Sequence, residues 1–151
     1  MVLGLPIVSH RLRRRPSEFR YLNFMLLGIY LFANLYLTLL SRQVGLVRQL
    51  ELTPFWSYKA ALRGDASLRE EVILNILLYV PLGYLLHYAF PKLEWWRVIV
   101  IGFVMSVLTE TTQLVFKLGF CEIDDLVSNT MGTVIGVGAY RAYKRVEKWK
   151  G

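Results

Sequence analysis

Long apolar runs, separated by polar or charged connections, dominate the chain. The runs cover about residues 21–40, 68–90, 98–117 and 125–142. A helix of about 20 residues crosses the hydrocarbon core of a bilayer, so each run is close to the length of a membrane span. We therefore predict an all-α fold, a polytopic bundle of four transmembrane helices in a single membrane domain over residues 1–151, with a long connection at about 41–67.

Local signals indicate where the predicted spans begin. Four arginines between residues 11 and 15 precede the first span. That span is longer than the apolar region of a signal peptide and no small-x-small cleavage site follows it, so we expect it to remain as an anchor. Ser67 and Glu70 have the spacing of a capping box, which predicts that the second span begins near Leu68.

The composition and the distribution of charge support a membrane protein. Hydrophobic residues make up 55% of the chain and the mean hydropathy is +0.41, too apolar for a soluble domain of this size. The net charge of +7 would suit a nucleic acid, but no recognition motif accompanies it, and we predict no such partner. The two termini and the 91–97 turn carry twelve lysines and arginines against six in the other connections. This bias predicts that both termini face the cytoplasm, an N-in/C-in topology.

Metal and cofactor chemistry receive little support from the sequence. The single cysteine, Cys121, allows no internal disulfide, and there is no Cys/His zinc pattern. The acids between residues 122 and 125 could bind Mg²⁺ or Ca²⁺, but they lack the ligand alternation of an EF-hand loop. We therefore predict no metal site and no cofactor.

The third predicted span has a polar face that cannot point at lipid. Its residues follow helical spacing: Gly102, Ser106, Glu110, Gln113 and Lys117. A charged side chain in the hydrocarbon costs roughly 3 kcal/mol, so Glu110 should face the interior of the bundle. The structural alternative is that Glu110 only hydrogen-bonds Gln113 or Asn75.

The fourth predicted span places an acid, an amide and two glycines on one stripe: Asp125, Asn129, Gly132 and Gly136. The glycine pair predicts close packing against a neighbouring helix. The short loop before this span predicts antiparallel packing against the third span. Asp124 or Asp125 could instead cap the fourth helix, where free N–H groups favour a carboxylate.

We predict that acids and amides from three spans converge in a polar cleft that is open to the outer face. The predicted ligand-binding residues are Asn75, Glu110, Gln113, Glu122, Asp124, Asp125 and Asn129. If the site is catalytic, its acid/base pair comes from Glu110, Asp124 and Asp125. Such a cleft suits a cationic or hydroxyl-rich group, unless a divalent metal bridges the acids or a basic side chain folds over them; the candidates are Lys117, Arg63 and Arg69.

Four sequence blocks carry a family resemblance. They are Leu-Thr-Pro-Phe at 52–55, Asn-Ile-Leu-Leu-Tyr-Val-Pro-Leu-Gly at 75–83, Glu-Thr-Thr-Gln at 110–113 and Glu-Ile-Asp-Asp-Leu-Val-Ser-Asn-Thr-Met-Gly at 122–132. In this order they resemble the VanZ-like family of bacterial membrane proteins, over roughly residues 35–140. Many relatives have an arginine shortly before the acidic turn, where this chain has Lys117 and Leu118.

The resemblance implies a small helical bundle in the bacterial cytoplasmic membrane. For the founding member it implies resistance to the glycopeptide teicoplanin and related lipoglycopeptides. It does not supply a reaction, so three functions stay open. They are binding of an outer-leaflet lipid, lipid-linked cell-wall precursor or lipophilic antibiotic; enzymatic modification of an envelope lipid or peptidoglycan precursor; and non-catalytic membrane assembly. The motif positions that carry over are Asn75, Pro81, Gly83, Glu110, Gln113, Glu122, Asp124, Asp125, Asn129 and Gly132.

Overall fold

The computed structural model describes residues 16–149 and is mostly helical, as predicted. The arginines at 11–15 lie outside the described residues. In chain order the elements are α1 (Pro16–Leu35), which continues into a π-helical turn (Tyr36–Leu40), β1 (Gln49–Glu51), α2 (Trp56–Leu62), α3 (Ala66–Ala89), α4 (Trp95–Phe116), β2 (Phe120–Glu122) and α5 (Ile123–Trp149).

Three segments in the described part of the chain are long and apolar enough to cross a membrane. They are Tyr21–Leu40, Ala66–Ala89 and Trp95–Phe116, in α1 with its π-helical turn, in α3 and in α4. With 27 residues α5 is long enough, but it is less apolar because polar and small residues occupy much of its length. Length and composition therefore support three of the four predicted spans.

The start of α3 differs from the prediction. The helix begins at Ala66, and the Asp65 carboxylate caps it by accepting the backbone N–H of Leu68 at 3.1 Å. Ser67 lies inside the first turn, so the predicted capping box of Ser67 and Glu70 is wrong. An aspartate at the N-cap satisfies an N–H group that has no partner within the helix.

A parallel pair of short strands, β1 and β2, was omitted from the all-α prediction. The register pairs Glu51 with Glu122. Next to this pair, the backbone N–H of Gly45 donates to the carbonyl of Lys117 at 2.7 Å. These bonds attach the long connection after the first span to the loop between α4 and α5.

At the centre of the fold, α5 runs parallel to α3 and antiparallel to α4. A Cβ atom at Gly83 would collide with the backbone carbonyl of Thr133, and one at Gly136 with the carbonyl of Val80. Gly132 meets the α3 backbone in the same way. The close packing predicted from the glycine pair is therefore confirmed, and α3 is the partner helix.

The apolar core lies between the helices, while their outward faces remain apolar. Seven buried side chains form the core: Leu27, Tyr79, Leu82, Leu86, Ala89, Val98 and Val137. Large apolar residues on the outer faces, among them Phe32, Leu77 and Leu108, are more than half exposed. An apolar exposed surface on long helices is the arrangement that hydrocarbon tails can cover.

Candidate functional site

Glu110 is buried where α4 meets the loop that leads into α5. Its side chain is 4% exposed, and its Oε2 atom accepts the backbone N–H of Glu122 at 3.1 Å. Gly102, Ser106 and Gln113 of the predicted polar face are also buried. These four residues of the face therefore point into the bundle, as predicted.

Asp125, in the first turn of α5, is half-buried and lies against α3. Its Oδ1 atom accepts the side-chain N–H of Asn75 at 2.6 Å. This bond places the amide of the second predicted span next to the acids that follow the third. Asn75, Glu110, Glu122 and Asp125 thus meet at one end of the bundle.

Asp124 faces away from this group and holds α2 in place. Its carboxylate accepts the backbone N–H of Phe55 at 2.6 Å, and the backbone N–H and hydroxyl of Ser57 at 3.0 and 2.7 Å. Phe55 has a left-handed backbone, with φ of 62°, which is uncommon for a residue with a side chain. The Asp124 carboxylate is therefore the cap of α2, rather than a ligand-binding group or the cap of α5, the two roles left open by the sequence.

Gln113 and Asn129 connect helices instead of pointing toward the acids. The Gln113 side-chain N–H donates to the carbonyl of Thr38 at 3.0 Å, which ties α4 to the end of the first span. The Asn129 side-chain N–H donates to the Ser106 hydroxyl at 2.9 Å, which ties α5 to α4. Of the seven predicted site residues, these two and Asp124 serve other contacts.

An exposed cation, Arg42, lies near the site. Its guanidinium Nη1 atom is 3.6 Å from the position that a Cβ on Gly119, in the loop before β2, would occupy. Lys117 instead extends to the carbonyl of Leu46, at 3.2 Å. The only sequence signal for Arg42 is its place directly after the first span.

Glu122 lies in β2, outside the spans, and its electrostatic environment is unusual. Burial, followed by the negative charges of Asp125 and Glu71, raises the pKa of Glu122 to about 7. A carboxyl group with a pKa near neutrality can both release and accept a proton in physiological conditions. Glu71, whose negative charge helps to raise the pKa of Glu122, was not among the predicted site residues.

The resulting site contains three carboxyl groups and one amide. We define it as the acidic cluster: Asn75, Glu110, Glu122 and Asp125. Within residues 16–149, no group of three or more His, Cys, Asp or Glu side chains is arranged to hold a metal ion. The cluster can hydrogen-bond hydroxyl groups and pair with a cation through its carboxylates.

Apolar helices of membrane-spanning length around buried polar groups define a helical membrane protein. A family model described as VanZ/LLP1 matches residues 24–144, so the chain belongs to the VanZ/LLP1 family, as the four sequence blocks predicted. Among curated proteins, Protein VanZ of Enterococcus faecium is 29% identical over 122 residues, which cover 76% of this chain and 71% of that protein. No solved structure matches the chain significantly.

Proposed function

We propose that the chain is a multi-pass protein of the bacterial cytoplasmic membrane in which α5 is the fourth span and both termini face the cytoplasm. The exposed face of α5 supports this proposal, because Met131, Val134 and Ile135 are 45–49% exposed and apolar. In the first half of α5, Ser128, Asn129 and Thr133 are buried inside the protein, where they need no lipid contact. Four alternating spans also make α3 and α5 parallel, as the contacts between them require.

In this topology the acidic cluster lies at the outer ends of α3, α4 and α5. We propose that it engages an outer-leaflet lipid, a lipid-linked cell-wall precursor or a lipophilic antibiotic, and so contributes to resistance to teicoplanin-type glycopeptides. The observation that carries the proposal is the burial of Glu110 beside Glu122 and Asp125. An acid buried within a membrane span, as Glu110 is, is costly, which favours a functional reason for its presence.

The composition of the cluster favours ligands with both hydroxyl groups and charge. Carboxylates and the Asn75 amide accept and donate hydrogen bonds to hydroxyl-rich headgroups. The exposed Arg42, near the loop before β2, could supply a positive charge to a phosphate or carboxylate of the same ligand. An aminosugar or sugar-phosphate headgroup combines these features.

An enzyme acting on an envelope lipid or peptidoglycan precursor is the second candidate. The observation that favours it is the contact between Glu110 and the backbone of Glu122, whose own carboxyl group has a pKa of about 7. Two neighbouring acids, one of which has a pKa close to neutrality, meet the basic requirement of general acid/base catalysis.

Non-catalytic membrane assembly is the third candidate function. It is supported by the hydrogen bonds with which Gln113 and Asn129 connect helices.

Expression in a glycopeptide-susceptible host tests the proposal. We expect the minimum inhibitory concentration of teicoplanin to rise more than that of vancomycin. Asp125→Asn should abolish the effect, whereas Glu70→Gln, which removes an exposed acid from the same end of α3, should leave it intact. Unchanged susceptibility with confirmed membrane expression would contradict the resistance proposal.

Lipid and precursor profiles of the same cells separate binding from catalysis. A new lipid or precursor species that depends on Glu110 would establish the enzyme. Identical profiles in resistant and control cells would establish binding without chemistry. Resistance that survives both Glu110→Gln and Asp125→Asn would leave the assembly function.

A further inference from the structure

A cavity of about 900 Å³ lies at the opposite ends of α3 and α5 from the acidic cluster. The end of α3 and the turn before α4 form most of its wall, with contributions from α1 and α5. Its volume is within the range of small-molecule sites. Neither the sequence motifs nor the family match assigns a role to this cavity.

The polar and charged lining of the cavity favours an anion. Lys92 comes from the turn and Lys144 from the last part of α5, and Asn23 and Tyr88 add neutral hydrogen-bonding groups. Among the lining residues within 16–149, the single acid is Glu147, which pairs with Lys144 at 2.7 Å. Two ammonium groups therefore share one carboxylate among the lining residues.

The rest of the lining is apolar and suits the part of a lipid next to its headgroup. Ala89, Phe90, Pro91 and Leu93 form this part of the wall. A free anion in water gains nothing from such a surface, whereas the glycerol and first acyl carbons of a phospholipid do. The apolar wall beside the lysines thus distinguishes a lipid from a soluble phosphate.

Aromatic and basic residues place the cavity at the level of a membrane surface. The Arg141 guanidinium lies 5.9 Å from the ring centre of Trp95, and the Arg97 guanidinium lies 5.2 Å from that of Trp96. Tryptophans next to arginines are typical of the interface between hydrocarbon and headgroups. Basic pockets between helices on the cytoplasmic side bind anionic headgroups in other membrane proteins.

We propose that this cavity binds one anionic phospholipid, with Lys92 and Lys144 contacting its phosphate and the apolar wall contacting its glycerol and first acyl carbons. In the topology proposed above, this lipid belongs to the inner leaflet. Glu147 competes with the phosphate for Lys144, so the ion pair between Lys144 and Glu147 must open or share its ammonium group when the lipid binds.

Native mass spectrometry of the full chain in detergent tests this site. The protein is titrated with dioleoylphosphatidylglycerol, with dioleoylphosphatidylcholine, which has the same acyl chains but no net charge, and with inorganic phosphate. We expect one phosphatidylglycerol to bind with clear preference over phosphatidylcholine, and inorganic phosphate neither to bind nor to displace it.

Substitutions in the cavity then identify the residues responsible. A lysine near the headgroups contributes about fivefold, so Lys92→Gln with Lys144→Gln should weaken phosphatidylglycerol binding roughly 30-fold. Lys59→Gln, which removes the same charge from exposed α2, is the matched control and should change nothing. Glu147→Gln should strengthen binding, a gain that unfolding cannot produce.

Four results would overturn the proposal. They are equal binding of the two lipids, unchanged phosphatidylglycerol binding by the double lysine variant, an equal loss in the Lys59→Gln control, or displacement of the lipid by inorganic phosphate. If circular dichroism shows that the double variant is unfolded, the single variants Lys92→Gln and Glu147→Gln test the site instead. Phosphatidylglycerol binding should fall in Lys92→Gln and rise in Glu147→Gln, and any other result would overturn the proposal.

Discussion

Asn75 on α3 and Asp125 on α5 are joined by a hydrogen bond of 2.6 Å, although fifty residues separate them in the sequence. The bond lies at the level where Glu110 contacts Glu122. It therefore holds the two parallel helices together and orients a carboxylate of the acidic cluster at the same time. These two roles can be separated because an amide at position 125 still offers an oxygen to Asn75.

Asp125→Asn should leave the fold intact and remove the proposed resistance to teicoplanin. The remaining side-chain oxygen can accept the Asn75 bond, so we expect the free energy of unfolding to change by less than about 1 kcal/mol. Asn75→Leu instead removes the donor and leaves the carboxylate without its partner, at a cost of about 1–3 kcal/mol. Thermal unfolding in detergent measures both. Equal destabilisation by the two variants would contradict this separation.

The Asp124 carboxylate should be among the most important polar groups for the long loop. In Asp124→Ala, three donors lose their acceptor, and we expect a loss of about 3 kcal/mol. Ser57→Ala removes one of the three bonds and should cost about 1 kcal/mol. The matched control is Ser67→Ala, an exposed serine that does not cap α3, with an effect below about 0.5 kcal/mol. Denaturant titration provides the comparison, and a Ser57→Ala effect no larger than that of the control would refute the capping role.

The glycines of α5 should differ sharply in their tolerance of a methyl group. In Gly136→Ala, the new Cβ atom meets the carbonyl of Val80 and the backbone of Tyr84, so α3 and α5 must separate, and overpacking of this kind costs about 1–3 kcal/mol. Gly138→Ala meets nothing within 4 Å and should be neutral or slightly stabilising. Melting temperatures of the two variants test this contrast. Equal melting temperatures would show that the helices are not packed as closely as the structure describes.

The raised pKa of the Glu122 carboxyl group predicts that the stability of the protein depends on pH. Its pKa of about 7 in the folded protein exceeds the ordinary glutamate value of 4.5, so the folded state holds this proton more tightly than the unfolded state. The contribution of this group to stability is therefore complete below about pH 4.5 and is lost as the pH rises to about 7.

A pH series of melting temperatures between pH 4.5 and 8 measures the contribution of Glu122. The wild-type melting temperature should fall relative to that of Glu122→Gln, in which residue 122 no longer titrates. The exposed Glu70→Gln variant is the control and should follow the wild type. Parallel curves for wild type and Glu122→Gln would contradict the raised pKa.

The helices and their packing surfaces could be predicted from local sequence patterns. The apolar runs marked the spans because a helix in lipid satisfies its own backbone bonds. The pair of Gly132 and Gly136 indicated close packing. Two glycines one helical turn apart leave a groove on the helix surface, and the backbone of a neighbouring helix can enter it. In α5 the small and polar residues that favour helix packing also lower the hydropathy of the segment. The packing pattern therefore indicates a span, whereas the hydropathy does not.

The composition of the acidic cluster was only partly predictable. Asn75, Glu110 and Asp125 stood out because amides and acids are rare in apolar runs. The position of Arg42 near the loop before β2 did not stand out, since a basic residue after a span has many explanations. Asp124 was grouped with its neighbour, but adjacent residues near the start of a helix point in different directions.

The loop itself escaped prediction because its contacts are between distant parts of the chain. Strands of three residues, such as Gln49–Glu51 and Phe120–Glu122, are too short to show an alternating pattern. The left-handed Phe55 has no sequence signature of its own, because the Asp124 carboxylate that stabilises it comes from α5. Only the folded chain brings these groups together.

The pairing of β1 with β2 also sets an order of assembly. In a chain that is synthesised from its N-terminus, β1 is complete long before its partner, and both α3 and α4 must be made before β2 exists. The strand bonds between residues 49–51 and 120–122 can therefore close only after those two helices have been synthesised. Glu122 belongs to this last step, so the acidic cluster is completed at the end of biogenesis rather than inherited from an early folded core.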